Sequence, residues 1–98
     1  MNEVYEAETF SELRLLLNKV EQERVERIKD QLRENLFQGK PLHFSWFREK
    51  RMNGKRVYYF INEHTRKAVL AAFGEKKYQQ RIINELLANR EYYFQLLR

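Results

Sequence analysis

Asn53-Gly54 constrains this chain more than any other pair of residues. It lies between two runs rich in aromatic and β-branched residues, which is the strongest short-range signal for a tight β-hairpin. The flanking sequence, Trp46 to Phe60, carries five cations (Arg48, Lys50, Arg51, Lys55 and Arg56) against one carboxylate, Glu49. A hairpin that served only as scaffold has little use for so much like charge beside so many rings. Cations interleaved with aromatic faces suit RNA or another single-stranded nucleic acid, whose phosphates attract charge and whose bases stack.

A two-residue loop sets Arg51 opposite Arg56 and Glu49 opposite Tyr58 on one sheet face. Directly opposed arginines repel unless an anion sits between them, so this register reads as a phosphate clamp. A three-residue turn with a bulge instead groups Arg48, Lys50, Arg56 and Tyr58. Arg56 and Tyr58 share an exposed face in either register.

The rest of the chain frames the hairpin. Residues 3–10 alternate weakly and predict a short strand, and Ser11-Glu12 predicts a helix start. Leu13, Leu16, Leu17 and Val20 repeat at helical spacing, as do Val25, Ile28, Leu32 and Leu36. The stripe slips between Val20 and Val25, which predicts a helical hairpin turning near Asn18–Glu21, with one long bent helix as its competitor. Gly39 and Pro41 stop the helical section. Strands are predicted over 43–52, 55–62 and 67–73, and a terminal amphipathic helix from about Tyr78. The expected fold class is α+β: an N-terminal helical hairpin packed on one face of a small, mostly antiparallel four-stranded sheet, followed by a C-terminal helix, in a single domain over 1–98.

Charge is uneven along the chain. Residues 1–42 hold 7 basic and 9 acidic side chains, whereas residues 43–98 hold 12 and 5. The surplus on the second half implies a polyanionic partner. The absence of cysteine excludes disulfides and thiolate metal sites and fits a cytoplasmic setting. Two histidines, His43 and His64, are too few for a dedicated transition-metal site, and no apolar run approaches a membrane span. Phe44 and Trp46 are expected beneath the helices, and Tyr92-Tyr93-Phe94 in docking the last helix or in an interface.

The order of elements, with Gly39-Lys40-Pro41-Leu42, Glu49-Lys50-Arg51, Arg56-Val57-Tyr58-Tyr59-Phe60, Phe73-Gly74 and Lys76-Lys77, resembles the RelE/ParE superfamily of type II toxin–antitoxin toxins, most closely its HigB branch. The resemblance covers about residues 3–85. It implies a metal-independent, cofactor-free endoribonuclease (an mRNA interferase) in which a ribose 2′-OH attacks the adjacent phosphate, with the ribosome as setting and a cognate antitoxin as partner. On that likeness Arg51, Arg56, Glu49, Lys76 and Tyr78 form the catalytic set, and Arg48, Lys50, Lys55, Tyr58 and Lys77 bind RNA. Lys50 departs from the family, which has an apolar residue there, and the C-terminal helix extends past the compact end of many members, offering a homodimer surface. A non-catalytic nucleic-acid-binding module and a gyrase-directed toxin are the alternative readings of the same scaffold.

Overall fold

A computed structural model describes all 98 residues. Its strands are β1 (Glu3–Glu6), β2 (Lys40–Leu42), β3 (Phe44–Met52), β4 (Lys55–Asn62) and β5 (Lys67–Glu75). Its helices are α1 (Glu8–Arg14), α2 (Lys19–Glu34), α3 (Gln79–Ala88) and α4 (Arg90–Leu96), with a 3₁₀ turn at Lys76–Tyr78 leading into α3. The five strands form one mixed sheet in the order β1-β5-β4-β3-β2, in which only β1 and β5 run parallel. No helix is long and apolar enough to cross a membrane.

The α+β class is as expected, but the sheet has five strands rather than four. The additional strand is Lys40–Leu42, which sequence reading treated as a helix stop. Pro41 is tolerated there because β2 lies at the sheet edge, where a missing N–H breaks no inner ladder. The hairpin adopts the two-residue register: Met52 faces Lys55, Arg51 faces Arg56, and Glu49 faces Tyr58. Asn53 enters the left-handed region (φ 55°), which asparagine tolerates better than most residues.

The helices cover both faces, not one. Lys50 reaches Gln31 of α2, and Phe10 of α1 meets Phe73 edge-on. On the opposite face Tyr93 of α4 stacks on Phe60 at 4.6 Å, and Gln79 of α3 bonds Glu49. The central strand shows why: Val57, Tyr58, Tyr59, Phe60 and Ile61 are all buried, the unbroken apolar run of a strand sandwiched between two layers. Gly74 of β5 admits α3 at close range, since a Cβ there would stand 2.5 Å from Cδ1 of Ile82.

Element ends also shift. β1 stops at Glu6 and α1 begins at Glu8, ahead of Ser11. The break between helices falls at residues 15–18, because Asn18 and Glu21 form a capping box that starts α2: Asn18 Oδ1 accepts from the Glu21 amide at 2.8 Å, and Glu21 Oε1 accepts from the Asn18 amide at 3.3 Å. The terminal helix is two helices divided at Asn89. Replacing Asn18 by Ala leaves the first-turn amides without their cap and is expected to cost about 1 kcal/mol, read as a lower midpoint in urea unfolding with an unchanged slope.

Candidate polyanion-binding cleft

Pairing between β2 and β3 ends where Lys40 faces Glu49. The last residues of β3, Lys50 to Met52, therefore have no strand on their outer side. At that open edge, side chains from both faces of β3 converge with α2, the 3₁₀ turn and the start of α3. The result is a cleft of about 460 Å³ with no hydrophobic lining residue. Six cations surround it: Arg24, Lys40, Lys50, Arg51, Arg56 and Lys76, with Glu49 as the only carboxylate.

The ion pairs within the cleft are few. Arg56 Nε lies 3.9 Å from Glu49 Oε1, and none of the other five cations has a carboxylate within 4 Å. Glu49 is held from a second direction by Gln79 Nε2 at 2.9 Å. Lys50 donates to Gln31 Oε1 at 2.8 Å; burial, reinforced by Arg24, pushes its ammonium below the usual lysine range. Like charges gathered at one place with so little compensation raise the local potential, and an entering anion relieves it.

The wall of the cleft is set by buried hydrogen bonds around residues 36–39. The Tyr59 hydroxyl donates to Leu36 O at 3.0 Å and accepts from the Gly39 amide at 2.8 Å. Arg48, buried, donates to Gly39 O (2.9 Å), Ser45 O (2.9 Å) and Phe37 O (3.5 Å), and its guanidinium lies over the Phe37 ring. These bonds tie the segment after α2 to β3 and β4 and hold the turn that carries Gln38, Gly39 and Lys40.

Arg51, Arg56, Glu49, Lys50 and Lys76 thus meet in one place, while the other candidates are engaged elsewhere. Arg48 is buried, with its guanidinium committed to three backbone carbonyls. Lys55 pairs with Glu21 at 2.6 Å, closing the hairpin onto α2. Tyr58 is not on an exposed face: its ring is buried, its hydroxyl has no hydrogen-bond partner, and burial, aided by Glu49 and opposed by Arg56, raises its pKa to about 12. Lys77 pairs with Glu75 at 3.5 Å and sits over the Tyr78 ring outside the cleft. Tyr78, partly exposed between Lys77 and Arg81, lies outside it as well. Glu49 approaches Arg56, not the more exposed Arg51. Phe44, expected beneath the helices, is exposed and stacks on Trp46 at 4.4 Å.

Sequence reasoning missed Arg24, Lys40 and Gln79. Each comes from a different element, and nothing in local spacing brings them to β3. Comparison with family models, with curated proteins and with solved structures returns no match in any of the three.

Proposed function

We propose that the chain is a toxin-like endoribonuclease that seats an RNA backbone in this cleft and cleaves it without a metal. The observation that carries this reading is the six-cation cleft with a single positioned carboxylate. Arg51 and Arg56 grip the scissile phosphate, and their planar forks can each reach two of its oxygens. Lys40 and Lys76 extend the positive track to flanking phosphates. The 2′-oxygen attacks phosphorus and the P–O5′ bond breaks, leaving a 2′,3′-cyclic phosphate and a 5′-hydroxyl. In this reading Glu49 takes the 2′-OH proton, and Lys50, whose burial makes its ammonium easier to deprotonate than usual, supplies the one required by the leaving oxygen. The guanidinium groups offset the charge that builds on the phosphorane.

A regulating partner fits the remaining surface. Leu13, Leu15, Leu16 and Val20 are exposed around the α1–α2 turn, Val20 shares a small pocket with Arg24 and Arg27, and an acidic antitoxin with apolar anchors matches both features. The location of Tyr78 outside the cleft favours the second reading, a binding module that holds RNA without cutting it.

The two separate in one experiment. Purified protein is incubated with a defined RNA in EDTA, and product ends are mapped. The nuclease reading expects fragments with 5′-hydroxyl and cyclic-phosphate ends, and intact RNA overturns it. Both readings expect strong salt dependence: with all six cations engaged, a plot of log affinity against log salt for single-stranded RNA should approach a slope of about −4. A slope near zero removes both.

A further inference from the structure

A second cavity, of about 280 Å³, opens on the other side of the residue 37–39 turn. Its character is opposite to that of the cleft. Three rings wall it: Phe37, Trp46 and Phe94, the last two meeting edge-to-face at 4.9 Å. Its polar lining residues are Ser45 of β3 and Asn62, Glu63 and His64 at the β4–β5 turn, and neither lysine nor arginine lines it. The volume lies at the lower end of ligand pockets, roughly 300–1,000 Å³, and suits one flat ring system better than an extended ligand.

The two cavities share a wall. Phe37 lines the apolar one, while Gln38 and Gly39 line the cationic one. Two residues of backbone span at most about 7 Å, so a group stacked on Phe37 and a phosphate beside Gly39 are within reach of one nucleotide. Arg48 fixes this wall by binding the carbonyls of Phe37 and Gly39, and it covers the Phe37 ring from one side at 5.1 Å. The stacking surface is therefore held in place before any ligand arrives, which lowers the ordering cost of binding.

The polar rim narrows the ligand class. Glu63 without a neighbouring cation in the lining disfavours a phosphate and accepts hydrogen bonds from an amino group. The oxygen of the Asn62 carboxamide is committed to the amides of His64 and Thr65 (2.9 and 3.1 Å), which fixes the orientation of the group and leaves its NH₂ as the free end. We infer that this pocket seats an amino-bearing nucleobase, adenine or cytosine before uracil, of the strand whose backbone occupies the cationic cleft. The inference rests on the RNA-binding reading above and adds to it a site for base selection.

The test uses ten-residue 2′-O-methyl RNA strands, which lack the attacking hydroxyl and cannot be cut: oligo-A, oligo-U and an abasic strand of equal length. Affinity is read by anisotropy, and Trp46, the only tryptophan, reports occupancy of the pocket by its fluorescence. Oligo-A is expected to bind about 10-fold or more tighter than the abasic strand, in line with aromatic stacking of a base, and to quench Trp46. Phe37→Ala should bring the ratio of oligo-A to abasic affinity near one, and Glu63→Gln should erase the preference for oligo-A over oligo-U. Equal wild-type affinity for oligo-A and the abasic strand, or a ratio untouched by Phe37→Ala, overturns the inference. If such base-independent binding still weakens with salt, the cleft reading survives alone. Absence of salt-sensitive binding to any strand overturns both.

Discussion

Arg51→Ala should reduce RNA cleavage by roughly 100- to 1,000-fold, the usual loss when one preorganised donor to a developing oxyanion is removed. The protein should remain as stable as before. Arg51 is exposed, has no carboxylate within 4 Å, and lies directly opposite Arg56 in the hairpin register. Its removal takes away a repulsion instead of a bond, so the change in stability should be neutral or favourable by a few tenths of a kcal/mol. Arg51→Lys keeps the charge without the fork and should recover only part of the rate. The measurement is single-turnover cleavage of a defined RNA alongside a thermal melt for each variant. An Arg51→Ala protein that cuts at the wild-type rate would show that phosphorane stabilisation lies elsewhere.

Gly39→Ala should do the reverse, damaging the fold before the chemistry. A Cβ at this position would meet the carbonyl oxygen of Glu49 in close overlap and stand 2.7 Å from the Tyr59 hydroxyl and 2.8 Å from its ring. One obstacle is backbone in the β2–β3 pairing. The other is a buried ring whose hydroxyl already bridges Leu36 and Gly39. Neither can yield cheaply. Overpacking of this kind costs typically 1–3 kcal/mol, and loss of the Tyr59 bridge leaves buried groups unpaired at about 1–3 kcal/mol more. For a chain this short, each kcal/mol lowers Tm by roughly 4–8 °C, so a fall of at least about 10 °C is expected by circular dichroism. RNA affinity should drop even below the melting range, because the displaced turn carries Lys40 and the wall of the cleft. A melt within a degree or two of wild type would mean that β2 is not held as described.

Two hairpin registers were open from the sequence, and the structure takes the two-residue one, which sets Arg51 opposite Arg56. What alternation could not tell was how far along the strand each face is covered. Phe47, Glu49 and Arg51 share a face, yet Phe47 is buried and Arg51 exposed, because α3 and α4 shield one end of it and leave the other open. Tyr58 was misplaced for the same reason: the right face, the wrong distance from the cleft. The buried run Val57 to Ile61 carried the sign of a two-sided sheet. The capping box at Asn18 and Glu21 was likewise present in the sequence, within the segment read as a turn. Arg24 and Lys40 had no such sign, since their membership in the site depends on where a three-residue edge strand stops.

The early stop of β2 has one more consequence. It leaves the outward-pointing amide and carbonyl of Arg51 without a neighbouring strand, since those of Lys50 and Met52 turn toward β4, and such an open margin is a template on which another chain's backbone can add. Every copy of this protein carries Lys50, Arg51, Arg56 and Lys76 at that margin, so two copies approaching it meet mutual repulsion. The same cations that would attract a nucleic acid thus oppose edge-to-edge pairing of two copies. A polyanion that neutralised them would remove that opposition.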